Sequence, residues 1–270
     1  MGLDAVVYCN CFREGVTEPP PETIRPYIVT DEEGYPDLDF PMEDERFDEY
    51  LAMFDEWLGS CCPHPNLWYT DERITDWEGY TRFLQLLEKI GWERFPALYQ
   101  ALPSDNEGRT DAALASRALK ELQDVHQEAD LGTGVHLMDK ETGEILYLHN
   151  TDAVSFLGWN AQDRTAIGLD EEGFFVGKLA ERDLKVEEIL FRSVCFEQKR
   201  KSEEGAVLFQ DLSSGTHILS TLPIRDGERL PRLLQVEKRN ISGKDFDHIL
   251  QPLINVFQAS VETGNPVIWG

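Results

Sequence analysis

Gly132–His149, reading GTGVHLMDKETGEILYLH, is where the chain changes its period. Val135–Asp139 and Glu144–His149 are short apolar-rich segments flanking Glu141-Thr142-Gly143, a turn signal suited to a β-hairpin. Before Gly132 the apolar residues recur at helical spacing; after it, turn residues separate short alternating segments. This shift predicts a boundary between an N-terminal region, residues 1–131, and a C-terminal region, residues 132–270, a division also compatible with one continuous domain. Further strands are expected at Phe174–Gly177, Ile189–Glu197, Ala206–Gln210, Thr216–Ser220 and Leu233–Lys238.

Upstream, Leu3–Cys9 reads as a first strand, followed by a polar loop in which Pro19-Pro20-Pro21 excludes helix and central strand. Phe47, Tyr50, Leu51, Phe54 and Leu58 are spaced as one helical face. Pro41 suits a first turn, Glu43, Asp44 and Glu45 suit the N-terminal dipole, and Gly59 suits the stop. Asn66–Ile74 reads as a strand. Asp76 is a natural cap for a helix carrying Trp77, Tyr80, Leu84 and Leu87 that ends at Gly91. Leu114, Ala118, Leu122 and Val125 mark another helix between Thr110 and Ala129. At the C-terminus, Ser242 and Asp245 resemble a capping box ahead of a helix with Phe246, Ile249, Leu253, Val256, Phe257 and Ser260 on one face. Gly264 would end that helix, and Pro252 is expected to kink or divide it. The fold class is therefore α+β: a mixed, helical and acidic N-terminal half, a mostly antiparallel sheet in the C-terminal half, and a C-terminal helix packed on that sheet.

Charge is distributed unevenly. The 270 residues carry a formal net charge of −26; residues 1–130 hold 29 Asp and Glu against 10 Lys and Arg, a net of −19, and the remainder holds only −7. The densest stretch, Asp31–Glu56, contains a dozen carboxylates and one base, Arg46, yet also Phe47, Tyr50, Phe54 and Trp57. Disordered acidic tails lack such aromatics, so this reads as a folded, negative, amphipathic face. Its sign repels nucleic acid and anionic lipid and steers a basic protein toward it. Asp44, Glu45, Asp48, Glu49 and Asp55 are the candidate partner-binding residues, with aromatics such as Trp68, Tyr69, Trp77 and Trp92 as anchors where exposed. The bland alternative is that surface carboxylates serve solubility alone.

The five cysteines, Cys9, Cys11, Cys61, Cys62 and Cys195, are odd in number and too closely paired for ordinary disulfides. They read as reduced thiols, either buried in the core or acting as ligands. Cys11, Cys62 and His64 are the candidate metal set, with zinc the cofactor they would take. The spacing departs from that of a zinc knuckle, and Cys61 and Cys62 point apart in extended chain. Cys62 with His64 could alternatively form a reactive thiol pair. His136 and His149 lie on opposing strands of the proposed hairpin and would meet only in one register. Asp245-Phe246-Asp247-His248 has liganding residue types but sits at a helix start. Lys199-Arg200-Lys201 reads as a solvated hairpin tip. Gly132-Thr133-Gly134 lacks the rest of a dinucleotide fingerprint, and there is no phosphate loop, zinc-protease helix or nucleophile elbow. No apolar run approaches bilayer length and Met1-Gly2-Leu3-Asp4 lacks a basic signal region, so a cytoplasmic location is expected.

Met1-Gly2-Leu3-Asp4 through Tyr8-Cys9-Asn10-Cys11, with Gly15 and Pro19-Pro20-Pro21, resembles the start of a family of uncharacterised bacterial proteins. Cys62-Pro63-His64-Pro65 and the tail Phe257, Ser260 and Thr263-Gly264-Asn265-Pro266 extend that resemblance over most of the chain. It implies a bacterial, cytoplasmic origin and supplies no activity. Charge and the lack of catalytic motifs favour a non-enzymatic acidic interaction protein, in concrete form a bacterial immunity-type inhibitor of a basic toxin domain. The contrasting class is a metal-dependent hydrolase using the Cys/His set.

Overall fold

The computed structural model describes all residues except 1, 32–33, 151–153, 181–184, 202–205, 226 and 228. The chain divides into two compact units, one discontinuous (1–128 with 243–270) and one formed by 129–242. In the first, β1 (Gly2–Tyr8) leads through a long loop to the hairpin β2 (Ile28–Thr30) and β3 (Pro36–Leu38), then α1 (Phe47–Leu58). The helix starts at Phe47, so Pro41 and Glu43–Glu45 precede it and Asp48 and Glu49 occupy its first turn instead. Pro41 and Asp44 belong to a separate turn in which the Asp44 N–H bonds the Pro41 carbonyl.

β4 (Trp68–Asp76) begins two residues later than its expected start, because Asn66 and Leu67 turn the chain with φ of 57° and 60°. α2 (Trp77–Ile90) is capped by the Asp76 carboxylate, which accepts from the Gly79 N–H at 2.7 Å, and ends at Gly91 with φ 109°. A short α3 (Pro96–Ala101), unforeseen because six residues display too little period, precedes β5 (Arg109–Thr110). α4 (Ala112–Gln127) is capped by Asp111 and buries Ala115, Ala118, Leu122 and Val125.

The second unit is antiparallel throughout. It contains β6 (Thr133–Asp139), β7 (Ile145–His149), β8 (Ser155–Asn160), β9 (Thr165–Asp170), β10 (Gly173–Leu179), β11 (Val186–Ser193), β12 (Cys195–Arg200), β13 (Val207–Asp211), β14 (His217–Ser220) and β15 (Leu233–Asn240). They form two sheets, ordered β11-β10-β9-β8 and β14-β13-β12-β15-β6-β7. Phe174 stacks on Phe196 with centroids 4.4 Å apart and meets Phe209 edge-on at 5.0 Å in their shared core. The expected hairpin is β6–β7. The single strand expected over Ile189–Glu197 is two strands in different sheets, separated at the exposed Val194. β8 and β9 escaped the sequence reading because Gly158 and Gly168 interrupt their apolar pattern. Gly168 stands opposite Phe175, and a Cβ there would run into that ring.

The chain then returns to the first unit. A 3-10 turn over Gly243–Phe246 directly follows Ser242 and precedes α5 (Asp247–Thr263), so the α-helix itself begins beyond the Ser242–Asp245 segment. α5 runs continuously through Pro252 and stops at Gly264 with φ 74°. β16 (Val267–Trp269) completes the sheet β4-β1-β16-β5. α5 packs on α4, β4 and β1, correcting the expectation that it would cover the sheet of the C-terminal half. The protein is thus mixed α+β, and its last helix belongs to the core of its first strands.

Candidate functional site

β1 and α1 each end just before a cysteine pair. Beyond β1, the Cys9 N–H donates to the Leu67 carbonyl at 2.7 Å, which ties this end of the strand to the beginning of β4. The chain then turns, with the Glu14 N–H on the Asn10 carbonyl at 2.9 Å and the Val16 N–H on the Cys11 carbonyl at 3.0 Å. Beyond α1, the Cys61 N–H bonds the Trp57 carbonyl at 2.8 Å, and Cys61 is buried against the aromatic core with its thiol 3.8 Å from the Leu58 carbonyl. Cys62, the next residue, is half-buried. The backbone then turns through Pro63-His64-Pro65, with the Leu67 N–H on the His64 carbonyl at 2.9 Å.

This route brings Sγ of Cys9, Cys11 and Cys62 and a ring nitrogen of His64 together, all within 4.8 Å of one another. Cys9 and Cys62 sulfurs are 3.9 Å apart; His64 Nδ1 lies 3.5 Å from Cys11 Sγ and 4.0 Å from Cys62 Sγ. Cys11, Cys62 and His64 are joined here, and Cys9 is a fourth member that the sequence reading left out. Burial pushes the Cys9 thiol up to about 12, with neighbouring sulfurs adding to it and the Cys11 N–H opposing it; burial also raises Cys11, and raises Cys61 to about 11.

Asn10, between the first two cysteines, anchors this corner to the C-terminal tail. Its Nδ2 donates to the Thr263 carbonyl at 2.9 Å, while Asn265 Nδ2 donates to the Tyr8 carbonyl at 2.6 Å and to Asn10 Oδ1 at 2.9 Å. Arg13 bonds the side-chain oxygens of both asparagines. The TGNP tail thus has a concrete role beside the Cys-Asn-Cys segment.

The acidic face is built on α1. Tyr50, Phe54 and Trp57 are buried, Phe47 is half-buried, and Glu45, Asp48, Glu49 and Asp55 are exposed. The α1 aromatics are therefore core rather than anchors: Tyr50 packs on Phe40 at 4.6 Å and the Trp57 indole donates to the Glu18 carbonyl. Of Trp68, Tyr69, Trp77 and Trp92, only Tyr69 is exposed, at 39 %, with its hydroxyl bonded to Glu262. Asp44 is committed to a two-pronged pair with Arg46 at 2.9 and 3.0 Å, and hydrogen bonds from the Arg46 side chain and N–H hold its carboxyl down to about 2.

Asp55 also lines a cleft of about 480 Å³ together with Asp31, Asp37, Tyr8, Tyr35 and Trp68. Tyr35 is 5 % exposed, its hydroxyl finds no hydrogen-bond partner among the described residues, and burial pushes its pKa up to about 12. Asp31 and Asp37 carried a sequence signal only as part of the acidic run; they reach Tyr8 and Trp68 because Tyr35 packs on Tyr8, centroids 4.2 Å apart, at the end of β1 where Tyr8 stands opposite Trp68.

The remaining sequence candidates do not assemble into a site. His136 stands opposite Leu148 and His149 opposite Val135, so the two imidazoles point to opposite faces of the hairpin. His149 Nδ1 instead lies 2.9 Å from the Ser155 hydroxyl. Asp247 meets His126 at 2.9 Å, and burial lowers the pKa of His248. Lys199 and Arg200 are not at a hairpin tip but in the ladder of β12, opposite Leu208 and Val207, with Lys199 paired to Glu197; the tip of that hairpin lies outside the described residues. Among the described residues, the Cys/His set is the one group of three or more His, Cys, Asp or Glu side chains whose ligand atoms lie close enough to share an ion, and no helix there is long and apolar enough to cross a membrane. Comparison with protein-family models, with curated proteins and with solved structures finds no match.

Proposed function

We propose that this chain is a non-enzymatic binding protein that captures a basic protein partner through its acidic N-terminal unit. The observation that carries the reading is the cleft beside α1, where three carboxylates and three aromatic rings share one concavity. A lysine or arginine side chain suits such a lining: the carboxylates match its charge and the rings accept its apolar stem and cation. The exposed Glu45, Asp48 and Glu49 extend the negative field outward and would speed encounter, whereas Asp44 contributes less because Arg46 already neutralises it. In concrete form this is an immunity-type inhibitor masking a basic toxin domain in the bacterial cytoplasm, a role in which rapid capture matters most.

The test is pull-down from a native lysate followed by association kinetics at two ionic strengths. Reversing Asp48, Glu49 and Asp55 to Lys should slow association by about tenfold or more at low salt, and added salt should remove most of the wild-type advantage. Capture of the same partner at the same salt-independent rate would reduce the acidic face to a solvating surface. The hydrolytic alternative requires a metal with an open coordination position. Cys9 beside Cys11, Cys62 and His64 makes a four-donor set instead, which weighs against that alternative.

A further inference from the structure

We infer that Cys9, Cys11, Cys62 and His64 form a structural zinc centre of three thiolates and one imidazole, fastening the segment after β1 to the loop after α1. The spacing of the donors is the first argument. Zinc bonds of about 2.3 Å to sulfur and 2.0–2.1 Å to nitrogen, arranged tetrahedrally, place sulfurs about 3.8 Å apart and sulfur and nitrogen about 3.6 Å apart. The sulfurs of Cys9 and Cys62 are separated by 3.9 Å, and His64 Nδ1 lies 3.5 and 4.0 Å from the sulfurs of Cys11 and Cys62. A Cys9–Cys62 disulfide would need these sulfurs at about 2.05 Å.

The backbone supplies the second argument. The His64 N–H addresses the sulfur of Cys62, two residues before it, at 3.4 Å. An N–H placed this way helps fix the direction of the sulfur that it faces. Cys61 stands outside the group of four donors that lie within 4.8 Å of one another, its sulfur 3.8 Å from the Leu58 carbonyl. The chain therefore separates two adjacent cysteines into a core thiol and a ligand.

Donor chemistry selects the metal. Three soft sulfurs and an imidazole disfavour magnesium and calcium and suit zinc, and four donors within 4.8 Å enclose one ion rather than a multi-iron cluster. With all four positions taken by protein there is no place for a reactive water, so the role is structural. The ion would close a loop spanning 53 residues, from Cys9 to Cys62, that contains the β2–β3 hairpin and α1. This inference is independent of the basic-partner reading, and its test uses no partner.

The full chain, purified under reducing conditions without chelator, should contain about one zinc per molecule by elemental analysis. Cys61→Ser and Cys195→Ser should retain it, while Cys62→Ser and His64→Ala should each lose most of it. Because a ligand variant can misfold, the wild-type chain is also stripped and titrated with cobalt(II), where intense d–d and thiolate-to-cobalt bands of a tetrahedral site should saturate at one equivalent. Wild-type protein that neither carries zinc nor develops those bands overturns the inference. So does undiminished zinc in both Cys62→Ser and His64→Ala, or a Cys9–Cys62 disulfide found by mass spectrometry in protein handled under reducing conditions.

Discussion

Asp211 holds its charge at the end of β13 inside a ring of hydroxyl and amide donors. The Ser193 hydroxyl donates to Oδ2, while the N–H and hydroxyl groups of Ser213 and Ser214 converge on Oδ1 at 2.6–2.9 Å. These bonds, the one from Ser193 foremost, hold the carboxyl well below the usual carboxylate range. The folded pKa lies below the unfolded value of about 3.9, so the stabilisation is fully present above that pH and disappears as pH falls through the folded pKa. Asp211→Asn is expected to cost about 2 kcal/mol at pH 7, the scale of hydrogen bonds to a charged group that the amide cannot replace in full. Urea melts across pH should show the gap to wild type narrowing below about pH 4. A gap that stays constant down to pH 2 would mean that shape, not charge, holds the turn.

At the scale of elements, α5 is the closing piece of the first unit. Ile249, Leu250, Leu253, Val256 and Phe257 are buried on it, and β16 pairs with β1 through Val7↔Val267 and Ala5↔Trp269. Each such side chain removed from water contributes about 1.5–3 kcal/mol, so losing the segment exceeds the margin of an ordinary fold. A chain ending before Asp245 should lose the cooperative melt of its N-terminal unit, read by the fluorescence of Trp57, Trp68, Trp77 and Trp92. A truncated chain with an unchanged fluorescence transition would show α5 to be an appendage.

Across the whole molecule, the excess of −19 in residues 1–130 opposes compaction as well as attracting cations. Ten Lys and Arg cannot neutralise 29 carboxylates in this stretch, even with pairs such as Asp4 with Arg73 and Asp44 with Arg46. Screening the remainder should stabilise the protein: raising sodium chloride from about 10 to 300 mM, which shortens the Debye length from about 30 to under 8 Å, should raise Tm by a few degrees. A Tm that falls with salt would indicate that attractive pairs outweigh the self-repulsion.

Periodicity and end signals made the local structure legible in the sequence: Asp76 and Gly91 bound α2 as their side-chain and backbone preferences require, and Glu141-Thr142-Gly143 sits in the β6–β7 hairpin. Hydrogen bonds between residues three or four apart, and side chains alternating along a strand, are encoded within a window of a few residues. The tertiary structure alone decided which sheet received α5, that Ile189–Glu197 breaks between two sheets, and that Asp31, Asp37 and Asp55 meet at one cleft. It also brought Cys9 to Cys62 across 53 residues and left Cys61 outside the four-donor group. Such choices depend on which apolar faces bury each other most completely, a competition among distant segments that no short stretch of the chain encodes.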